Sequence, residues 1–276
     1  MKISQLAINS VSTVRADLQE CLSAYHDAGF RNVEFTLKHV KDYLATGHTV
    51  DDVCALLAKY ELKCIGGFET GVECFSSAES QAENHARIIE NAKLLGALGA
   101  STMVVGTDGP PAEAPVANPV AQIASTFATL ARQIKPTGIT LCLEFNWSPV
   151  VKSLRTAAEI AHKSRQSNVG VLFDPAHYHC TPTKFDQLNE HNISKIRHVH
   201  VDDMNDKPGE LSNCNSDRAL PGKGCLDLKA IFGQLEKYGY KGYFSIEMFS
   251  EKLWSMPARR SAKIMYDSLM PFIRTR

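Results

Sequence analysis

An eightfold alternation of short β-rich runs and longer amphipathic stretches constrains this fold more than any other feature. The predicted strands are KISQLAI, NVEFTL, LKCIGGF, STMVVG, ITLCLEF, VGVLFD, IRHVHV and GYFSIEM, in chain order. Stretches between them place apolar residues at helical spacing, and PARRSAKIMYDSLMPFI supplies an eighth helix. Eight such repeats in 276 residues favour a single (β/α)8, or TIM, barrel over a doubly wound sheet. We predict one domain over residues 1–276.

The composition argues against several classes of partner. Lys and Arg number 30, as do Asp and Glu, so the formal net charge is zero. Proteins that bind nucleic acids or anionic membrane surfaces usually carry an excess of positive charge, so we expect neither as a partner. The sequence has no apolar run of membrane-spanning length. A nucleotide cofactor is not expected, because no GxGxxG or GxxxxGK motif follows a predicted strand.

The cysteines and the N-terminus favour a cytoplasmic protein. Eight cysteines are scattered without CxxC spacing, and Cys54, Cys64 and Cys142 lie in apolar segments. We interpret them as reduced core thiols, not as a disulfide framework or zinc ribbon. The opening MKISQLAINS lacks the apolar core and cleavage pattern of a signal peptide.

Ionisable side chains end four consecutive predicted strands. Because strand residues alternate between two faces, Glu144, Asp174, His200 and Glu247 each end the face opposite to an apolar one. Active sites of (β/α)8 barrels lie where the strands end, so these four should meet at one mouth. Three carboxylates there would repel one another without a cation. We therefore predict a divalent metal, and mainly oxygen ligands with one imidazole suit Mn²⁺, Mg²⁺, Co²⁺ or Zn²⁺ equally.

Further polar residues lie close to this set in the sequence. His198 lies deeper on the His200 face and is expected to support the site or pack in the core. Asp202, one step beyond His200, is expected to bind a ligand or a substrate hydroxyl, whereas Asp203 should point outward. Glu34 faces inward on the second strand, where we expect it to pair with a barrel Lys or Arg or to contact substrate.

Aromatic residues follow several of the predicted strands. Trp147, Tyr178, Phe249 and Trp254 could cover the C–H face of a sugar or pack the loops together. Trp147 is the strongest candidate for substrate binding because it follows Glu144 so closely.

Together these motifs resemble the xylose-isomerase-like TIM-barrel superfamily of sugar isomerases and epimerases. That family has Glu at strand five, Asp-x-x-His at strand six, His-x-His at strand seven, an Arg-x-x-Pro-Gly-x-Gly loop and Glu at strand eight. The corresponding residues here are Glu144, Asp174 with His177, His198 with His200, Arg218 in RALPGKG, and Glu247. The resemblance covers essentially the whole chain.

The resemblance implies a metal-dependent enzyme. Glu144, Asp174, His200 and Glu247 would hold the metal, while His177 and Arg218 would hold substrate oxygens. The resemblance also implies a homo-oligomer, a dimer or a tetramer.

A metal with two flanking glutamates suits proton abstraction beside a carbonyl. One glutamate of the pair Glu144 and Glu247 would remove the carbon-bound proton, giving an enediolate. The other would return a proton, for isomerisation or epimerisation of a sugar or keto-polyol. His177 could stabilise a substrate oxygen or shuttle a proton.

Three alternatives stay open from the sequence. The same enediolate could expel a β-hydroxyl, which would make the protein a dehydratase of an inosose-like keto-polyol. A zinc-dependent phosphodiesterase similar to the apurinic endonucleases is disfavoured by the neutral charge. A sugar-binding barrel without activity is disfavoured by the intact ligand set.

The chain also departs from the ketose 3-epimerases, since Val150 lies near the place of a further glutamate and residues 204–217 form a longer loop.

Overall fold

The computed structural model describes residues 1–274, and in it eight parallel strands close into the predicted (β/α)8 barrel. The strands are β1 (Leu6–Asn9), β2 (Asn32–Thr36), β3 (Lys63–Phe68), β4 (Thr102–Val105), β5 (Thr140–Glu144), β6 (Val169–Phe173), β7 (Ile196–Val201) and β8 (Phe244–Ile246). β1 pairs with β2 on one side and with β8 on the other, which closes the barrel. Seven strands lie within their predicted runs. The first strand ends one residue beyond its run, at Asn9, and Ile3–Gln5 of that run forms a 3-10 turn.

Helices connect the strands around the outside. They are α1 (Leu18–Ala28), α2 (Leu37–Ala45), α3 (Val50–Lys59), α4 (Ala78–Ala97), α5 (Pro119–Ile134), α6 (Leu154–Lys163), α7 (Pro175–Cys180), α8 (Glu190–Ile193), α9 (Leu228–Lys237), α10 (Glu251–Trp254) and α11 (Ala258–Leu269). Further 3-10 turns are Ser10–Thr13, Lys135–Thr137, Phe185–Gln187, Gly209–Leu211 and Met270–Phe272. The sequence places glycine where α1 ends, and Gly29 has φ 113°, a left-handed conformation that suits glycine. The eighth predicted helix is α11.

The two faces of each strand have different surroundings. Leu141 and Leu143 belong to the large apolar cluster between barrel and helices. The inward-facing Cys142 instead lies in a small separate cluster with Val104 and Leu172. The apolar filling of the barrel interior is therefore thin, and polar side chains occupy the space above and below it. This is the alternation of faces that the sequence predicts.

The chain between β7 and α9 is folded back over the mouth of the barrel. Asp203–Met204 pairs in an antiparallel ribbon with Arg218–Ala219. The ribbon returns Arg218 to the ends of the strands after the excursion of residues 205–217.

All eight cysteines of the described residues are free thiols. Cys64 and Cys142 are buried, as predicted for core thiols, and Cys54 is half-buried. Within residues 1–274, no helix is both long enough and apolar enough to cross a bilayer.

Candidate active site

A cavity of about 590 Å³ opens at the carboxyl ends of the barrel strands. The acidic and basic residues of its lining are Glu144, His177, His200, Arg218 and Glu247. Aromatic side chains on the wall are Phe68, Trp147 and Phe249. The sequence predicted an active site at this end of the barrel, and each of these acidic and basic residues is one that it singled out.

Asp174, His200 and Glu247 form a tight cluster, called here the metal-candidate cluster. One ligand atom from each lies within 4.8 Å of the other two. His200 Nδ1 is 3.2 Å from Asp174 Oδ2 and 3.2 Å from Glu247 Oε2. All three residues are buried. Consecutive strands β6, β7 and β8 therefore bring together three of the four predicted ligands.

Glu144 lies in the same cavity but outside that cluster. Its Oε1 is 3.1 Å from His177 Nε2, and its Oε2 accepts a hydrogen bond of 3.0 Å from Asn146 Nδ2. His177 is held in turn because its backbone N–H donates to Asp174 Oδ1, which caps α7. The predicted fourth ligand thus contacts His177, whose Nε2 also lies 4.0 Å from Asp174 Oδ2.

Arg218 connects the carboxylates of the mouth. Its guanidinium lies 3.0 Å from Asp174 Oδ2, 3.0 Å from Glu247 Oε2 and 2.5 Å from Asp202 Oδ2. Its Nε donates to the Cys214 carbonyl, and the guanidinium lies 5.0 Å from the ring centroid of Phe249. This buried cation balances part of the negative charge of the metal-candidate cluster.

Asp202 differs from its predicted role in substrate binding. Its carboxylate is fully buried behind Arg218 and does not line the cavity. Burial raises the pKa of Asp202 well above its usual range, although Arg218 opposes that rise. In this arrangement Asp202 supports the guanidinium and does not reach the cavity.

Asp203 does not point into solvent, as the alternation of faces predicted, but anchors the loop after Arg218. Its carboxylate accepts hydrogen bonds of 3.0 Å from the backbone N–H groups of Gly222, Gly224 and Leu226. Gly224 has no room for a side chain, since a Cβ would lie 2.4 Å from Asp203 Oδ1. The ribbon breaks the strand alternation at Val201, and this reverses the direction of Asp203.

Glu34 pairs with histidines and not with a barrel Lys or Arg. Its Oε2 lies 3.0 Å from His198 Nε2 and 3.1 Å from His200 Nε2. Burial would raise the pKa of Glu34, but the two imidazoles hold it well below its usual range. His198 has no contact with the metal-candidate carboxylates and supports the site from below, as one of its two predicted roles stated.

The other ionisable groups carry charges that follow from their neighbours. Burial would lower the pKa of His177 and His200, but adjacent carboxylates raise both well above the usual value. Burial would raise the pKa of Asp174 and Glu144, but Arg218 and His177 respectively keep them lowered. Asp174 and Glu144 are therefore ionised carboxylates that lie beside cationic side chains.

The predicted aromatic residues divide into two groups. Trp147 and Phe249 line the cavity, and Trp147 is 51% exposed at its edge. Tyr178 and Trp254 instead pack against neighbouring elements: Tyr178 lies near Phe173, and Trp254 donates to the Val11 carbonyl. Only the first pair is placed to touch a bound molecule.

Several residues of the site were not anticipated. Asn9, at the end of β1, donates a hydrogen bond of 2.9 Å to Glu247 Oε1. Asn146 donates to Glu144, and Phe68 lines the cavity from β3. Asn9 and Phe68 end their strands, so the strand-end rule that found the carboxylates would have found them had neutral side chains been included.

The metal-candidate cluster has the donor chemistry of a divalent cation site. Two carboxylate oxygens and one imidazole nitrogen converge in a buried place beside an open cavity. The residues present therefore fit such an ion, and Glu144, the predicted fourth ligand, lines the same cavity outside this cluster.

Comparison with known proteins adds to this geometry. Residues 22–269 match the model of the xylose isomerase-like TIM barrel family. An inosose isomerase of Halalkalibacterium halodurans is 30% identical over 152 residues, which are 54% of this chain and 53% of that protein. The chain thus spans about half the length of this relative. An inosose dehydratase of Clostridium perfringens is 22% identical over 267 residues, covering 89% of this chain and 86% of that protein.

Solved structures share the fold at low sequence identity. The crystal structure of the IolI protein with a bound zinc atom superposes with a TM-score of 0.87 at 21% identity, covering 98% of both chains. A D-psicose 3-epimerase superposes with a TM-score of 0.75 at 16% identity, covering 96% of both chains.

Proposed function

The chain belongs to the xylose isomerase-like TIM barrel family, and on that premise we propose that it is a divalent-metal-dependent isomerase or epimerase of a sugar or keto-polyol. One observation carries the proposal: Asp174, His200 and Glu247 converge as a buried ligand set on a cavity that also holds a second glutamate, Glu144. The zinc named for the IolI structure, the D-psicose 3-epimerase that shares the fold and the related inosose isomerase support the same assignment.

The proposed metal is held by Glu144, Asp174, His200 and Glu247. A divalent cation there would polarise a substrate carbonyl and its neighbouring hydroxyl. The identity of the ion stays open among Mn²⁺, Mg²⁺, Co²⁺ and Zn²⁺ because the donor set suits each of them.

Glu144 and Glu247 are the proposed acid–base pair. They extend from β5 and β8, on either side of the strands that carry Asp174 and His200, so both reach the same cavity. Glu144 is kept ionised by His177, which is the state that a base requires. The glutamate that acts as base starts ionised and takes the proton beside the carbonyl. Its partner starts protonated and gives its proton to the enediolate, so that one proton passes from the partner to the base.

His177 and Arg218 are proposed to hold substrate oxygens. His177 Nε2 faces the cavity beside Glu144, and the Arg218 guanidinium lies at its edge beside Glu247. Both groups donate hydrogen bonds where negative charge develops in the enediolate. Asp202 acts through Arg218 by fixing the guanidinium.

The charges of the cavity favour an unphosphorylated substrate. Among the described lining residues Arg218 is the one Lys or Arg, and three carboxylates already surround it. A phosphate in the cavity would lie near the carboxylates of Glu144 and Glu247, whose negative charge repels it. Trp147 and Phe249 offer apolar faces for the C–H groups of a sugar or polyol ring.

A dehydratase is the second candidate, because the inosose dehydratase match covers 89% of this chain. The two reactions share the first proton transfer, and they differ in whether the enediolate is protonated or expels a β-hydroxyl. The single domain over 1–276, the homo-oligomer and the cytoplasmic location stay predictions.

Proton exchange tests the proposal. Ketoses and inososes are incubated in D₂O with metal-loaded and metal-stripped protein and followed by NMR. We expect metal-dependent deuterium incorporation beside the carbonyl, and the product distinguishes isomerase, epimerase and dehydratase. Absence of exchange from every substrate, with metal shown to be bound, would contradict the proposal, and hydrolysis of abasic DNA would then be tested.

A further inference from the structure

Glu34 extends into the barrel interior from β2, across from the strand that carries His200. In the closed barrel β1 and β8 separate β2 from β7, so the contact between Glu34 and His200 spans the interior. Pairing of β2 with β3 shifts register between Val33 and Glu34. None of the roles given to the cavity residues above uses this carboxylate.

We infer that Glu34 is a positioning residue that holds His200 by its Nε2–H and thereby presents Nδ1 to the metal-candidate cluster. The inference rests on the proposed function, because it assigns the ligand atom of a proposed metal ligand. It names a residue beyond the four ligands and beyond the acid–base pair.

Both nitrogens of the His200 ring have defined neighbours. Nε2 lies 3.2 Å from Glu34 Oε1 and 3.1 Å from Glu34 Oε2, with hydrogen-bond geometry to both. Nδ1 lies 3.2 Å from Asp174 Oδ2 and from Glu247 Oε2. Since Glu34 carries no proton donor when ionised, the Nε2 atom must donate, which leaves Nδ1 to bind a cation.

The Glu34 carboxylate is itself held from a second direction. His198 Nε2 lies 3.0 Å from Glu34 Oε2, although this contact lacks hydrogen-bond alignment. The rings of His198 and His200 are nearly perpendicular, with centroids 5.4 Å apart. Glu34 is fully buried, so it cannot exchange these partners for water. The orientation of His200 is therefore built into the barrel before any ion binds.

Burial of this carboxylate is costly and calls for a physical reason. An ionised group taken out of water must regain its lost solvation from fixed donors. A purely apolar barrel interior would avoid that cost, and the neighbouring Val104, Cys142 and Leu172 show that this interior accepts apolar side chains. Orienting a ligand is a role that an apolar residue at position 34 could not perform.

Cobalt binding to the purified protein tests the inference. Glu34→Gln keeps the shape of the side chain and removes its charge, and Glu34→Ala removes the contact altogether. Loss of such an outer partner weakens metal binding by about 10–100-fold. We expect Co²⁺ affinity, measured by competition with a chelator, to fall by that factor in Glu34→Gln. We also expect the visible Co²⁺ spectrum to change, because the imidazole turns relative to the ion.

A control variant separates positioning from general destabilisation. Glu69→Gln makes the same chemical change at a carboxylate whose partners are Lys41 and Asn91. It should keep the wild-type Co²⁺ spectrum and an affinity within about threefold of wild type, that is within less than 1 kcal/mol.

The outcomes are distinguishable. Wild-type affinity and spectrum in both Glu34 variants would overturn the inference while leaving the proposed function intact. Absence of Co²⁺ binding by the wild type would overturn the proposed function and the inference with it. Two ions per chain, one of them lost in His198→Gln, would make Glu34 a ligand and also overturn the inference. If the Glu34 variants do not fold, ¹⁵N NMR of the Zn²⁺-loaded wild type decides: coordination through His200 Nδ1 supports the inference, and coordination through Nε2 refutes it.

Discussion

The two halves of the barrel mouth are chemically unequal. The carboxyl ends of β5 to β8 carry ionisable side chains, which are Glu144, Asp174, His200 and Glu247. The last residues of β1 to β4 are uncharged, and they are Asn9, Thr36, Phe68 and Val105. The uncharged half is not inert, because Asn9 donates to Glu247 and Glu34 of β2 holds His200. One half carries the groups proposed to react, and the other half orients them and forms part of the cavity wall. Grouping Asp174, His200 and Glu247 on consecutive strands brings one ligand atom of each within 4.8 Å of the others.

The largest effect should come from the carboxylates of β5 and β8. Glu144→Gln and Glu247→Gln should each lower the rate of metal-dependent proton exchange by about 10²–10⁴-fold, because a positioned acid or base contributes that factor. The measurement is deuterium incorporation in D₂O. Thr36→Val, at a strand end of the uncharged half, serves as the control and should keep its rate. Equal losses in all three variants would remove the distinction between the halves.

Asn9 should give the next largest effect and tests whether the uncharged half supports the other. Its 2.9 Å hydrogen bond to the Glu247 carboxylate is to a charged acceptor, which makes it worth about 1.5–3 kcal/mol. Asn9→Ala should therefore lower kcat by about 10–100-fold with little change in KM. An unchanged kcat would show that Glu247 is oriented without help from β1.

The contact of Glu144 with His177 should make stability depend on pH. The pKa of His177 is raised in the folded protein. Its contribution to the free energy of unfolding is therefore complete below the usual histidine pKa and is lost as pH rises through the raised value. The pKa of Glu144 is lowered in the folded protein. Its contribution to the free energy of unfolding is therefore present above the usual glutamate pKa and is lost as pH falls through the lowered value. The stabilisation is therefore greatest between the usual pKa values of the two groups.

Urea unfolding of the metal-free protein at a series of pH values measures this effect. His177→Gln should lower the free energy of unfolding by about 2 kcal/mol near pH 6, the size of a charge-assisted hydrogen bond. The difference should shrink as the solution becomes alkaline. His191→Gln, at an exposed histidine of α8, is the matched control. A difference that grows with pH would have the wrong sign for a raised His177 pKa.

Replacement of the aromatic residues that line the cavity should give the smallest effect. One of them follows a strand of each half, so the two replacements compare the halves directly. Trp147 follows β5 and Phe68 ends β3, and both line the cavity while partly exposed. Replacing either with Ala should raise KM by about 2–10-fold, corresponding to about 0.5–1.5 kcal/mol per aromatic contact, without a change in kcat. Phe185→Ala changes an exposed aromatic residue that does not line the cavity and should leave KM unchanged. An effect of Trp147 alone would confine substrate contacts to the charged half.

How far the site follows from the sequence depends on the kind of contact. Asp174 and His200 were placed together because strand alternation and the strand-end rule are enough to locate them. The predicted partner of Glu34, a barrel Lys or Arg, was wrong. Which side chains meet across the barrel interior depends on how the barrel closes. The direction of Asp203 was also wrong, because a ribbon interrupts the alternation there.

The sequence by itself determined the barrel, the ends of its strands and the residue types that meet at its mouth. It could do so because hydrophobic periodicity and helix-ending glycines act over a few residues of chain. Only the tertiary structure decided that Asp202 lies behind Arg218, that Glu144 faces His177 and that Asn9 holds Glu247. Those contacts join residues 16 to 238 positions apart. They form because closure of the barrel brings together side chains that are far apart in the sequence. The residues next to each side chain in the sequence do not indicate which distant residue it will contact.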